Sequence, residues 1–519
     1  MEKNIRYVVH ASVFVLIFLP ILYLLFSMFF PNLQLTNISS LWEYFVFSFD
    51  SRVSTIFLRT LVIGISTAVL STLIGLILAV IFECTKLAYR NFLRLLLFLP
   101  LLIPPNILAF SWLGFLGKRG TFSDMVFPNV NFDIYNPLTL IIFLSLSFFP
   151  IAMLVISLGL RNMDRNVIDA GRLSNSKKVL KKIVLPLTKP HILFSMLIIF
   201  VLAVSEFTIP AFLQVNVYSN EIFAQLAAFY DMRKAIFLSF PLIIISFIVS
   251  ACLYFYLRKS SFTTISSFSR EKKNFIELSN LKKSLGYSFI SILILLSLFI
   301  PAIMLLVESR SSFVPALGSA WTSIQNSLVV AAISVPIITF FGFITYHAYK
   351  KSSFFIPLII FPLTIPSAVI GISLINLYNT IPLPIYGTII MVVLGYIIRF
   401  LPFSIFIFSA FSPQLSKSIE ESAKLSGSGQ MKIFRKIIIP LTKNGFLASI
   451  FIISIFCLGE IGITQMVAPP GFQTLSNRID TLMHYGNYPY VASLSLLFLS
   501  FIFLFYGLYL VVYKYGRKN

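Results

Sequence analysis

Three ionisable side chains lie inside long apolar runs, and they are the residues most able to act on a charged solute. Glu206 and Glu460 sit in Ser205-Glu206-Phe207 and Gly459-Glu460-Ile461, and Arg399 lies in the middle of the apolar run 385–411. A charge at the centre of a bilayer costs roughly 2.5–3.5 kcal/mol on insertion scales, so each should face a protein interior or a wet cavity. Their types suit a translocation path; the alternative is that they pair with one another or cap interrupted helices. Little else in the chain suggests chemistry. The four histidines are scattered, and no Gly-Lys-Ser phosphate loop, His-Glu-x-x-His or clustered carboxylate pair is present, which argues against an enzyme. Cys84, Cys252 and Cys457 have no paired spacing, so neither a disulfide framework nor a metal site is expected. His484 beside Tyr485 is a poor metal site on its own and reads better as a contact on an outer loop, or as structural.

These charges must be positioned by membrane helices. Of the 519 residues 58% are hydrophobic and only 11% charged, with a mean hydropathy of +0.93, more apolar surface than a soluble core of this size buries. Runs long enough to span a bilayer lie near 8–30, 55–83, 91–116, 138–160, 191–213, 235–257, 285–307, 325–348, 354–378, 385–411, 446–467 and 489–513. That predicts an all-α polytopic protein of about twelve spans. The first run lacks a small-residue cleavage site and reads as a retained span. The net charge of +22 is not one basic face, so nucleic acid is not an expected partner. Lys and Arg concentrate in every second connection, despite exceptions at Lys118, Arg119, Arg233 and Lys234, which places both termini in the cytoplasm.

The chain also repeats itself. Leu58-Arg59-Thr60-Leu61 resembles Gln325-Asn326-Ser327-Leu328, and Pro100 and Pro104 match Pro362 and Pro366 at an offset of 262. Ile183-Val184-Leu185-Pro186-Leu187-Thr188-Lys189 returns as Ile437-Ile438-Ile439-Pro440-Leu441-Thr442-Lys443 at an offset of 254, and a glutamate follows each loop proline by 20 residues. Two parallel six-span halves, 1–257 and 285–519, are expected, joined by a Ser-, Lys- and Arg-rich cytoplasmic linker at 258–284.

Each half carries a cytoplasmic loop far longer than a helix connection needs, at 161–190 and 412–445. The second runs Glu421, Ser422, Ala423, then Gly427, then Ile437-Ile438-Ile439-Pro440. An acid opening a short helix, a glycine turn and a proline describe a helix–turn–helix offered to a partner. This pattern resembles the EAA motif of ABC-importer permeases: Glu-Ala-Ala, three residues, Gly, about nine residues, then Ile-x-Leu-Pro. The first copy, Asp169-Ala170-Gly171 through Pro186, departs from it, with Asp for Glu, no glycine at the turn and two residues fewer before the proline. The resemblance implies the type I importer fold in a bacterial inner membrane, with Asp169, Ala170, Gly171, Pro186, Glu421, Ser422, Ala423, Gly427 and Pro440 coupling to a dimer of cytoplasmic ATPase subunits. It also implies an extracytoplasmic substrate-binding protein, surrounding lipid, and no cofactor or catalytic site in this chain.

The segments around Glu206 and Glu460, the latter through Ala468-Pro469-Pro470-Gly471 to Tyr485-Gly486, resemble fused permeases for iron(III) uptake; related fused permeases serve thiamine and phosphonates. A rival from another class is an ion-coupled secondary transporter with six plus six spans, which would need no ATPase. The two EAA-like loops argue against it, as does the lack of a basic Gly-Asp-Arg signature between spans two and three.

Overall fold

Every regular element among the described residues is helical. The computed structural model describes residues 11–30, 46, 50–117, 133–161, 163, 179–259, 279–349, 361–362, 364–381, 383–411, 422–423, 425–426 and 429–518. The helices are α1 Leu19–Phe29, α2 Ser51–Cys84, α3 Arg90–Phe98, α4 Pro105–Leu116, α5 Pro137–Arg161, α6 Leu185–Ser205, α7 Thr208–Phe212, α8 Tyr218–Ala227 and α9 Met232–Lys259. They continue with α10 Asn280–Ile294, α11 Ile300–Glu308, α12 Phe313–Ser319, α13 Trp321–Tyr349, α14 Ser367–Thr380, α15 Ile389–Phe411 and α16 Gln430–Ile433. The last four are α17 Ile439–Gly459, α18 Gly462–Val467, α19 Leu475–His484 and α20 Tyr488–Lys518.

Among the described residues, ten helical segments are long and apolar enough to cross a membrane, or eleven if one bent pair counts as a span. Twelve spans were expected, and the differences have local causes. The run at 91–116 forms α3 and α4, which meet at 96°. Ile103 and Pro104 each precede a proline and take extended ψ values of 120° and 136°, because a following proline ring disfavours the helical region. The run at 354–378 lies partly outside the described residues, and its described remainder is the 14-residue α14. The spans expected at 191–213 and 446–467 instead start earlier, at Leu180 and Phe434, and stop at Ser205 and Gly459.

The interior inverts the pattern of a soluble helix. Along α2, Leu58, Val62, Ile65, Leu73 and Ile77 are exposed, as lipid requires, while Thr60, Gly64, Thr67, Ala68, Ser71 and Gly75 are buried. Small residues let backbones approach closely, which is how helices associate where lipid removes the hydrophobic drive between them. A side chain on Gly75 would begin 2.4 Å from Ala152 Cβ and 2.6 Å from the Met153 amide of α5. Gly342 of α13 stands in the same relation to Ser404 of α15, whose Oγ would be 2.1 Å away.

Two pairs of hydrogen bonds recur in both halves. The Tyr218 amide that opens α8 donates to Thr60 Oγ1 at 2.8 Å, and the Leu475 amide that opens α19 donates to Ser327 Oγ at 2.7 Å. Ser219 Oγ donates to the Val204 carbonyl at 2.9 Å, and Ser476 Oγ to that of Leu458. Ahead of each loop proline the helix widens into one π turn, Leu180–Val184 and Phe434–Ile438, as suits a helix in which proline withholds an amide donor.

Gly75→Leu should destabilise the α2–α5 contact by about 1–3 kcal/mol, since backbone blocks relaxation. Gly318→Leu, where nothing lies within 4 Å, should be silent. Thermal midpoints of the detergent-solubilised protein, followed by size-exclusion chromatography, check both.

Candidate functional site

Each half interrupts a spanning helix at its glutamate. A helix that restarts leaves its first amides without partners, and lipid offers none, so the chain must supply an acceptor. At the first break Glu206 Oε1 accepts from the Thr208 amide at 3.1 Å, the Ile209 amide at 3.5 Å and the Thr208 hydroxyl, capping α7. At the second, Glu460 Oε1 accepts from the Ile463 amide at 3.0 Å, capping α18. A carboxylate there also opposes the positive end of the helix dipole.

The second break carries a cation as well. Arg399 Nε lies 2.9 Å from Glu460 Oε2, with the arginine side chain 22% exposed and the glutamate 7%. Arg399 reaches it from the middle of α15, whose Tyr396 Oη, one turn earlier, is 2.9 Å from Thr464 Oγ1. The two breaks touch directly: a side chain on Gly462 would meet the Phe207 ring at 2.9 Å and Ser367 Oγ at 2.4 Å. The repeat offset of 252 that relates Pro402 to Pro150 puts Ser147 where Arg399 would be in the first half. Ser147 returns its hydroxyl to the Phe143 carbonyl at 3.0 Å. The arginine that pairs with Glu460 at the second break thus has a serine at the equivalent position of the first half.

Beyond the second break, α18, the loop after it and α19 surround an open cleft of about 360 Å³. Gln465 Nε2 donates to Asp480 Oδ2 at 2.6 Å. Burial pushes the Asp480 carboxyl up to about 6, offset in part by His484 and by the Gln465 bond. His484 Nδ1 lies 2.9 Å from the Asp480 carbonyl oxygen, and Tyr485 is exposed. No group of three or more His, Cys, Asp or Glu side chains is placed to hold a metal ion among the described residues.

The opposite ends of the spanning helices carry the long loops. Asp169, Ala170, Gly171, Glu421 and Gly427 lie outside the described residues, whereas Ser422, Ala423, Pro186 and Pro440 lie within them. Ser422 opens a helical turn, its carbonyl accepting from the Ser426 amide at 3.0 Å. Ala423 is buried in a cluster with Phe343, Phe408, Ile433 and Ile438, and the Phe343 ring packs at a tilt against those of Phe408, Phe434 and Phe446. At the equivalent end of the first half, Glu83 is held by Arg90 and Arg94 at 2.5 Å and by Arg161 at 2.9 Å. Sequence reading missed the aromatic seat, the arginine clamp and the polar cleft. Phenylalanines at 343, 408, 434 and 446, each near the loop-side end of its helix, were the available signal for the first, and Glu83, the one acid of α2, for the second.

Removing the Arg399 charge alone should cost more than removing both charges, because it strands a buried carboxylate. Arg399→Gln is expected to destabilise by on the order of 3 kcal/mol, and Arg399→Gln with Glu460→Gln by clearly less. A double-mutant cycle on thermal midpoints reads the coupling.

Residues 71–261 and 334–514 each match the model of one family, described as a binding-protein-dependent transport system inner membrane component. The chain is 25% identical over 419 residues to a putative ferric transport system permease protein of Haemophilus influenzae, covering 74% of this chain and 65% of that one. An Fe(3+)-transport system permease protein of the same organism is 23% identical over 444 residues, covering 82% and 84%. A putative 2-aminoethylphosphonate transport system permease protein of Salmonella typhimurium is 24% identical over 230 residues, 40% of this chain but 87% of its own length. The chain thus spans a little under two thirds of the first of these relatives and all but a fraction of the second. With two copies of the family's unit and the pseudo-equivalent breaks just described, the chain belongs to the family of inner membrane components of binding-protein-dependent transport systems.

Proposed function

We propose that this chain is the permease subunit of an ATP-driven importer for iron(III), with its translocation path between the halves at Glu206, Arg399 and Glu460. The observation that carries this reading is the meeting of the two helix breaks, Phe207 against Gly462, with three ionisable side chains gathered there. Membrane transporters commonly place substrate sites at repeat interfaces built from discontinuous helices. The halves are 1–257 and 285–519, joined by 258–284, with both termini cytoplasmic.

Coupling falls to the two long loops, through Asp169, Ala170, Gly171 and Pro186 in the first and Glu421, Ser422, Ala423, Gly427 and Pro440 in the second. The aromatic seat around Ala423 supports this role, because a rigid packed contact passes a push on the loop directly to α13, α15 and α17. ATP closure of two cytoplasmic ATPase subunits rocks the halves, and a separate extracytoplasmic protein delivers cargo. The chain itself does no catalysis. Iron(III) is favoured by the ferric transport for which the Haemophilus relatives are named, with phosphonate or thiamine as other cargo of the same class.

ATP hydrolysis by the purified complex in lipid should rise several-fold with iron-loaded binding protein and not with the empty protein. A response to a different loaded protein moves the substrate. Failure to recover any ATPase with the chain returns the ion-coupled reading. In the same preparation Ser422→Cys should cross-link to the ATPase subunit, and Asn216→Cys, at the other end of the spans, should not.

A further inference from the structure

Where α2 ends and α3 begins, the chain gathers cations without matching acids. Glu83, near the end of α2, is already shared by Arg90 and Arg94 of α3 and Arg161 of α5. No further acid follows in the sequence until Asp124. The start of α10 closes on this corner: the Ala88 amide donates to Tyr287 Oη at 2.8 Å, and a side chain on Gly286 would begin 4.0 Å from Ile81 Cδ1. Lys282 and Lys283 stand one turn before Gly286 and Tyr287, and so share their face of α10. Lys86 lies two residues before Ala88. Lys86 and Lys282 are exposed and Lys283 is half-buried, and among the described residues none of the three is in an ion pair.

The border of this basic corner is apolar. Phe92 and Leu95 of α3 and Leu281 and Leu285 of α10 are exposed. α3 meets α4 at 96° and sets two arginines among leucines and phenylalanines, the make-up of a helix that lies along a membrane surface. A soluble anion leaves such a border unused, and an acidic protein surface would press charge against it. An anionic phospholipid satisfies both parts, with a phosphodiester for the lysines and acyl chains for the border.

We propose that this corner binds one anionic phospholipid, with Lys86, Lys282 and Lys283 holding the headgroup phosphate and Phe92, Leu95 and Leu285 lying along the acyl chains. The bound lipid ties α10 to the α2–α3 turn, beside the long loop that follows Arg161.

Native mass spectrometry of the full chain, stripped of lipid in detergent and titrated with phosphatidylglycerol or with phosphatidylcholine of the same acyl chains, tests the site. Wild type should hold one phosphatidylglycerol about tenfold more tightly than phosphatidylcholine, and Lys86→Gln with Lys282→Gln and Lys283→Gln should abolish that preference. Lys282→Gln alone, at an exposed position, should already cut it severalfold. Lys432→Gln with Arg435→Gln and Lys436→Gln, which removes three exposed cations beside the second long loop, should leave it intact. Phe92→Ser with Leu285→Ser should weaken both lipids and keep the preference. Equal losses from the two triple variants would reduce the effect to general surface charge and overturn the proposal. Displacement of the lipid by millimolar inorganic phosphate would overturn it too, leaving a simple anion site. A Lys86, Lys282 and Lys283 variant that keeps its lipid but no longer co-purifies with ATPase subunits would assign the corner to a protein partner instead.

Discussion

Inside a bilayer every backbone amide must find its acceptor within the protein, and two helices of this chain stop and restart where no water is at hand. The rest of the structure is arranged around that constraint. Glu206 and Glu460 supply the missing acceptors, but each brings a charge that lipid will not tolerate. The chain meets this by packing the two breaks against each other, Gly462 against Phe207, and by setting Arg399 beside Glu460. Glycines and small hydroxyl residues on the surrounding helices then follow, since only they let α2 approach α5, and α13 approach α15, closely enough to seal the junction.

The duplication supplies the frame and its imperfections supply the function. Thr60 and Ser327 hold the next helix start in the same way, as do Ser219 and Ser476. Ser147 and Arg399 occupy equivalent positions with different consequences: the arginine pairs with Glu460, while the serine bonds only to its own helix. The loop ends differ as well. Glu83 is held by three arginines at that end of the first half, while Ala423 sits in an aromatic seat in the second.

Much of this was legible in the sequence because it is written in residue type and spacing. The prolines at 186 and 440 and the glutamates 20 residues beyond them fixed the repeat, and Arg399 in an apolar run marked a buried site. The pairing of Arg399 with Glu460 and the capping by both glutamates were among the readings open at that stage, and the geometry contains both. The bend at Pro104 escaped hydropathy, which sees that a run is long enough to span but not that successive prolines turn it through 96°. The polar cleft escaped for a different reason: Gln465, Gln473 and Asn477 are uncharged and scattered over a loop and two helices, and only folding brings them to one cleft.

The central claim is that the junction at Glu206 is a path which opens and closes with nucleotide. The most direct test replaces Cys84, Cys252 and Cys457 by serine, introduces Glu206→Cys, and measures its reaction with a small charged thiol reagent in the assembled complex with and without ATP. Ile244→Cys, an apolar position 41% exposed on a spanning helix, serves as the lipid-facing control. The account predicts that position 206 reacts at rates differing about tenfold or more between the two states, corresponding to at least about 1.4 kcal/mol in accessibility, while position 244 stays inert in both. A position 206 as inert as the control in every nucleotide state would contradict it, leaving the glutamates as helix caps and the path elsewhere.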